Sequence, residues 1–287
     1  MVGGIDFGAT LIRGALIAEK GQVIGERTEN SKVGEGREAT LARLIKFSQT
    51  LIDNQRVGAV GVGTPGPIDY LTGVVLNPPN LPNWQNVPLR DILKDALGVP
   101  IMVDRDANCA LLGEMWQGEA RGVKNAVLIT WGTGVGGAVL INGEIERGQS
   151  NLAGEIGHMI IDKDGPACPL GHRGCLESLI GGAAVERAWG KDLATIMEGA
   201  RAGRDQDQKI ATKIGDTLQI GLKNLVTLYD PEVIIFDGSV VKSIDIFLPK
   251  IQDFPIKVSQ LALRAGVIGA GKLALDYLNS RNLNVKS

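Results

Sequence analysis

Leu128-Ile129-Thr130-Trp131-Gly132-Thr133-Gly134-Val135-Gly136-Gly137 runs from a short apolar strand into a glycine bend, and continues through Ala138-Val139-Leu140-Ile141 into a second strand that turns at Asn142-Gly143 toward Glu144-Ile145. The same pattern stands near the start. Gly4-Ile5-Asp6-Phe7-Gly8-Ala9-Thr10 leads into Leu11-Ile12-Arg13-Gly14-Ala15-Leu16-Ile17, a turn at Lys20-Gly21 and then Gln22-Val23-Ile24-Gly25. Asn-Gly is a strong two-residue hairpin signal and Lys-Gly a weaker one. Two hairpins with glycine at their first bends, one in each half of the chain, offer backbone N–H groups able to hold a polyphosphate from two sides. The repetition implies two similar half-domains with a cleft between them, and chemistry of the ATP-dependent phosphotransferase class.

Gly132-x-Gly134-x-x-Gly137 also satisfies the dinucleotide fingerprint, but that motif needs a helix after its glycines to receive the pyrophosphate. Here the next residues are β-formers that end in a hairpin turn. No G-x-x-x-x-G-K-[ST] sequence occurs, which excludes a P-loop. Ordinary tight turns remain the plain alternative for either bend taken alone.

The 287 residues suffice for one large or two medium domains. A net charge of −2 gives no general attraction to nucleic acid or to an anionic membrane, so any grip on phosphate has to be local. The start, Met1-Val2-Gly3-Gly4, has no secretory pattern and no apolar run is long enough to span a bilayer, so a cytoplasmic location is expected. Three cysteines, Cys109, Cys168 and Cys175, are too few for a disulfide scaffold. Cys168 and Cys175 share a glycine-rich loop, where metal ligation is the reading to test.

Alternation and helical spacing predict strands near 2–7, 12–18 and 22–28, a helix around 41–52 and a buried strand over 57–63. Residues 64–84, rich in proline and asparagine, read as a long irregular segment of the kind that is usually functional. A helix at 89–97, a strand at 100–104 and a helix from Asp106 toward Gly118 come next. The second half adds a strand at 126–130, the second hairpin, a loop region over 148–178, helices near 181–189, 192–200 and 206–229, and a strand at 232–236. A terminal helix opens at Gly269-Ala270-Gly271. The expected class is therefore α/β in two domains, 1–112 and 113–271, with a helix at about 272–287 packing back on the first.

Asp6 ends a strand beside the first bend, where a carboxylate can hold Mg²⁺ through water or simply form the turn. Thr10 can donate to a phosphate oxygen or cap the turn. Asp106 follows a strand and opens a helix, which makes it an N-cap by default and also places it at the ligand-binding edge of an open α/β sheet. Phosphoryl transfer to an alcohol needs a carboxylate that accepts the hydroxyl proton. Asp106 is the first candidate and Asp104 the alternative. Glu155 and His158 in Gly154-Glu155-Ile156-Gly157-His158, with Glu177 in Cys175-Leu176-Glu177, bring two carboxylates and an imidazole near one loop; these groups can bind the adjacent hydroxyls of a polyol, or be surface residues.

Taken together, Asp6-x-Gly8-x-Thr10, Asp106-Ala107-Asn108, Gly154-Glu155-Ile156-Gly157-His158 and Cys168-Pro169-Leu170-Gly171-His172-Arg173-Gly174-Cys175-Leu176-Glu177 resemble the ROK family of repressors and sugar kinases. Asn80-Leu81-Pro82-Asn83-Trp84 with Val87-Pro88-Leu89 is most similar to its glucokinase branch. The resemblance covers nearly the whole chain. It implies an actin-like, ribonuclease-H-like two-domain fold that closes on ATP with Mg²⁺ and on a hexose, most simply glucose, whose 6-hydroxyl Asp106 activates. Mannose, fructose, glucosamine and N-acetylmannosamine are alternative substrates, and a non-catalytic sugar-sensing regulator is the alternative role. By that similarity Gly66, Asn80, Arg105, Glu155, His158 and Glu177 hold the sugar. Gly8, Ala9 and Thr10 form one phosphate loop and Gly132, Thr133 and Gly134 the other, while Gly238 and Gly269 lie by the adenosine. A homodimer or higher oligomer is implied, with no nucleic-acid or membrane partner, since Asp6 follows the initiator too closely for a preceding DNA-binding segment.

Two positions depart from the family pattern. Its zinc loop joins a histidine to three cysteines; His158, Cys168 and Cys175 match, but Leu170 stands at the middle cysteine, and His172 is the candidate substitute ligand. Arg105 stands where relatives commonly carry asparagine, and an arginine donates but does not accept, which bears on sugar preference.

Overall fold

The structure, a computed structural model, describes residues 1–284, with side chains as far as Arg281. Its contacts divide into two compact units. The first comprises Met1–Arg121, Arg147–Ala153 and the chain from Arg264 on; the second comprises Gly122–Glu146 and Gly154–Leu263.

The first unit opens with a meander, β1 (Val2–Phe7), β2 (Leu11–Ile17) and β3 (Val23–Asn30), each antiparallel to its predecessor. Helix α1 (Arg37–Ile52) then leads to β4 (Val60–Thr64), which lies parallel to β1. The segment expected to be irregular contains a small hairpin, β5 (Ile68–Asp69) with β6 (Val74–Val75), and buries Leu81 and Trp84. Trp84 packs on Phe7 with ring centroids 5.2 Å apart. Helix α2 (Leu89–Leu97), strand β7 (Ile101–Arg105), parallel to β4, and helix α3 (Asp106–Gln117) complete this stretch. The sheet order is β3-β2-β1-β4-β7.

The second unit repeats the plan. Strands β8 (Ala126–Trp131), β9 (Val135–Ile141) and β10 (Glu144–Ile145) form an antiparallel meander. Helices α4 (Leu176–Ile180), α5 (Gly182–Trp189), α6 (Leu193–Arg201) and α7 (Asp205–Tyr229) come next, then β11 (Val233–Asp237), parallel to β8. A 3₁₀ stretch at Ser239–Ile246 and the short α8 (Leu248–Ile251) lead to β12 (Ile256–Val258), parallel to β11. The order β10-β9-β8-β11-β12 matches the first sheet position for position, with the two glycine bends at equivalent hairpins. Its core packs Val127, Ile129, Trp131 and Phe236 of the sheet against Ile214, Leu218 and Leu222 of α7.

The last helix, α9 (Ala265–Asn284), returns to the first unit and packs on α3, β1 and β4. It starts four residues before the Gly269 opening expected from sequence, and residues 285–287 of the expected 272–287 helix lie outside the described residues. The first unit ends its initial stretch at Arg121, beyond the expected boundary at 112, because α3 runs unbroken across that position.

The pleat explains how the two faces of the first sheet differ. Ile5 and Phe7 of β1 and Val60 and Val62 of β4 point into an apolar core with Leu44 and Phe47 of α1. The opposite face presents glycine. A Cβ on Gly4 would lie 2.2 Å from the Val267 carbonyl oxygen, and one on Gly61 1.8 Å from that of Ala270, so α9 rests directly on strand backbone. Since neither contact can be relieved by moving a flexible side chain, Gly61→Ala is expected to lower the unfolding free energy by about 3 kcal/mol, measured by urea titration.

Candidate functional site

The parallel strands of the first unit end in polar residues. Asp6 of β1 pairs in register with Gly63 of β4, Gly63 with Asp104 of β7, and Thr64 with Arg105. This is the C-terminal edge of the sheet, where open α/β sheets bind ligands. Asp106 stands there as the first residue of α3, with Arg105 in the cap position, one place from the N-cap expected for the aspartate. Its Oδ1 accepts the Ala107 amide at 2.8 Å. Burial pushes the Asp106 carboxyl above the ordinary aspartate value, and Asp104 adds to that; the Ala107 amide and the Arg105 charge pull the other way. A carboxylate whose proton affinity is raised is the stronger base.

The sugar candidates of this unit differ in exposure: Arg105 is buried, Gly66 is half-buried and Asn80 is exposed. The first bend is held by the Gly8 amide donating to the Leu11 carbonyl at 2.9 Å, and by Ser31 Oγ donating to the Ala9 carbonyl at 2.6 Å. Thr10 is exposed on it. Asp6 is paired with Arg13 at 3.2 Å and faces Gly266, whose missing Cβ leaves room for it.

In the second unit the other bend closes through the Gly132 amide on the Gly134 carbonyl, 3.0 Å. The carbonyls of Gly132 and Thr133 each accept an amide of the α5 N-terminus, from Gly182 and Ala183 at 2.9 Å, so this bend is anchored by a helix end. Glu177 in α4 accepts the Val135 amide on Oε2 at 2.9 Å, and a Cβ on Gly134 would sit 2.3 Å from that oxygen. Gly8, Gly132 and Gly134 all lie outside the left-handed region; a Cβ is crowded at Gly134 by Glu177, whereas at Gly8 and Gly132 the nearest atoms, the Leu11 carbonyl oxygen at 3.3 Å and Ser239 Oγ at 3.4 Å, leave close to ordinary contact. Gly238, at the end of β11, does need glycine: φ is 103° and a Cβ would meet the Trp131 carbonyl oxygen at 2.4 Å. Asp237 and Thr130 pair in register, which brings Gly238 and Ser239 to the edge that carries the Gly132 bend.

Glu155 is half-buried and opens the 3₁₀ turn Ile156–His158, accepting the His158 amide on its carbonyl at 3.1 Å. His158 directs Nδ1 at Cys168 Sγ, 3.4 Å away, which leaves Nε2 on the far side of the ring. His158, Cys168, His172 and Cys175 place one ligand atom each within 4.8 Å of one another. Leu170 is 57% exposed and takes no part, whereas His172 occupies the corner its absence would leave. Two thiols and two imidazoles at this spacing fit the tetrahedral chemistry of zinc. Burial, and then the neighbouring Cys175 thiol, push the Cys168 thiol up to about 11, against the hydrogen bond donated by the Leu170 amide.

Gly269 is buried inside α9 against α3, where a Cβ would meet the Cys109 carbonyl oxygen at 1.6 Å. The sequence reading missed Thr64, whose buried hydroxyl has no hydrogen-bond partner among the described residues, and Arg147 and Asn151, which bond to Asp104. Thr64 carries no motif signal, and the other two are more than forty positions from their partner.

The sequence matches the ROK family over residues 2–276. The chain belongs to the ROK family. It is 28% identical to a glucokinase of Thermotoga maritima, with 96% of this chain and 97% of that protein aligned. It is 30% identical to a xylose repressor of Caldicellulosiruptor bescii over 96% of this chain and 78% of the repressor. Among solved structures, a ROK glucokinase from Streptomyces griseus in complex with glucose and AMPPNP superposes with a TM-score of 0.84 at 27% identity, covering 96% of this chain and 99% of that one. This ROK protein has the two-domain actin-like ATPase fold. No helix among its described residues is long and apolar enough to cross a membrane. Gly269→Ala is expected to lower stability by about 3 kcal/mol through overpacking, as melting curves will show.

Proposed function

We propose that this ROK protein transfers the terminal phosphoryl group of ATP to the 6-hydroxyl of glucose. Its class is that of the ATP-dependent sugar kinases, and the choice of hexose is the finer part of the reading. The observation that carries it is the place of Asp106: a carboxylate at the start of α3, on the ligand edge of the sheet. In this reading Asp106 takes the hydroxyl proton as the oxygen attacks the phosphorus and ADP leaves. Asn80, Gly66 and Arg105 from the first unit, and Glu155, His158 and Glu177 from the second, hold the remaining hydroxyls. Backbone amides of Gly8–Thr10 and of Gly132–Gly134 receive the phosphates, with Gly238 beside the nucleoside. Mg²⁺, when bound, supplies charge neutralisation for the phosphates, and Asp6 is the carboxylate placed to hold it through water.

A glucokinase relative, and the glucose and AMPPNP bound to the Streptomyces griseus enzyme, support this assignment. The xylose repressor match favours a second reading, a sugar sensor without turnover. Kinase assays with glucose, mannose, fructose, glucosamine and N-acetylmannosamine separate the two and rank the hexoses; absence of turnover with all five sets the kinase reading aside.

Asp106→Asn should keep glucose binding by calorimetry and lose kcat by about 10²–10⁴-fold, the usual contribution of general-base catalysis. Because the carboxylate is active and the acid is not, kcat of the parent should fall as pH drops, with its midpoint above the ordinary aspartate value. A midpoint at or below that value removes Asp106 from the role.

We further propose that His158, Cys168, His172 and Cys175 hold a structural zinc that fixes the loop carrying His158 and leads into Glu177. Elemental analysis of the purified protein should find about one zinc per chain, and His172→Ala should release it at lower chelator concentration and melt earlier than the parent.

A further inference from the structure

Asp104 lies two residues before Asp106 and is fully buried. Its Oδ1 accepts the Arg105 amide at 2.8 Å, Asn108 Nδ2 at 2.9 Å and Asn151 Nδ2 at 3.1 Å. Its Oδ2 accepts Nη2 and Nε of Arg147 at 2.8 and 3.1 Å. A buried carboxylate needs such a set, since leaving it unpaired is costly. The network continues: Asn108 Nδ2 also donates to Asn151 Oδ1 at 3.1 Å, and Arg105 Nη2 donates to Asn108 Oδ1 at 3.3 Å. The Arg147 guanidinium lies 4.2 Å from the centroid of the Tyr70 ring.

Two features set this cluster apart from ordinary core polarity. Every residue it fixes on β7 and α3 flanks Asp106: the cap residue Arg105 before it and Asn108 after it in the first turn. Its other half comes from Arg147–Ala153, the crossing segment that leaves the second half of the chain to join the first unit. Asn151 is buried there in a left-handed conformation, φ 56°, so its amide is aimed by a backbone that few side chains accept.

We infer that Arg147 and Asn151, acting through Asp104, are positioning residues for the Asp106 base, holding the strand end and first helical turn on which it stands. The inference rests on the reading of Asp106 as base. A hydroxyl oxygen and its base must meet within a narrow geometry, and a carboxylate at a helix start moves with that turn. The cluster also acts through charge. The charged groups on the elements around Asp106 include Asp104 and Arg105 on β7, Arg147 on the crossing segment, and Asp6 with Arg13 on β1 and β2; α3 also carries Glu114, and α9, packed on it, carries Lys272, Asp276 and Arg281. Asp104 favours the protonated acid at Asp106, and Arg147 offsets Asp104.

The test compares kinetics, pH profiles, glucose binding and melting for Asp106→Asn, Arg147→Met, Arg147→Lys, Asp104→Asn and Asn151→Gly. Asp106→Asn comes first: parental kcat in that protein overturns the base reading itself. With Asp106→Asn inactive, Arg147→Met is expected to lower kcat by about 10–100-fold, the scale of a small misplacement, with sugar KM changed far less, and to move the acid limb to higher pH. Asp104→Asn should also lower kcat but move the limb to lower pH. Arg147→Lys, which restores the charge, should return the limb toward its parental position. Asn151→Gly keeps the backbone and loses the amide, and should lower kcat without moving the limb. Melting alone responds to a purely structural cluster, and opposed limb shifts do not arise from it. Parental kcat in Arg147→Met and Asn151→Gly, or limb shifts of the same sign in Arg147→Met and Asp104→Asn, overturns the inference; where Arg147→Met does not fold, Arg147→Lys and Asn151→Gly decide it by their kcat.

Discussion

Helix α9 lies against bare backbone. Gly4 and Gly61 of the first sheet leave no side chain between it and the strands, and Gly113 of α3 and Gly269 of α9 let the two helices meet carbonyl to backbone. Dispersion contacts at that distance are numerous and individually small, so the face tolerates almost no added atom. This close seating sets the placement of α3, which has α9 on one side and the ends of β4 and β7 on the other. Asp106 stands on the first turn of that helix, beside Gly63 of β4, and its location thus depends on glycine in the strands beneath α3 and α9.

The sequence carried much of this because hairpins and strand ends have local signals. Asn142-Gly143 and the glycine bends gave both meanders, and the position of Asp106 after an apolar strand gave its helix start. Where local signals compete with packing, the reading failed. Gly266, Gly269 and Gly271 each disfavour helix by propensity, and the start of α9 at Ala265 is visible only once the sheet face it covers is known. Strand β12 is three residues long with a lysine in the middle, too short for alternation to register. The Asp104 cluster joins residues more than forty positions apart, and no spacing rule reaches that far. At the zinc loop the residue types were legible, but whether Leu170 or His172 turned inward depended on the path of the loop.

Glu177 links two readings that the sequence treated separately. One of its oxygens is engaged with the amide of Val135, directly after the Gly132–Gly134 bend, while α4, which carries it, is capped by Cys175 of the metal-ligand group. The order of that loop and the shape of that bend are therefore mechanically connected within the second unit. In the proposed function this is a route by which a structural cation supports both hydroxyl binding and phosphate binding without touching either ligand.

Because the first unit is assembled from three stretches of chain, with its covering helix last in order, synthesis on the ribosome runs ahead of its completion. The leading strands emerge with a glycine face exposed, and that face is covered only once the helix opening at Ala265 has been made. All of the second unit's chain, which ends at Leu263, precedes that helix. The turn that carries the site's proposed base is therefore closed on its α9 side by chain that follows every other element in order.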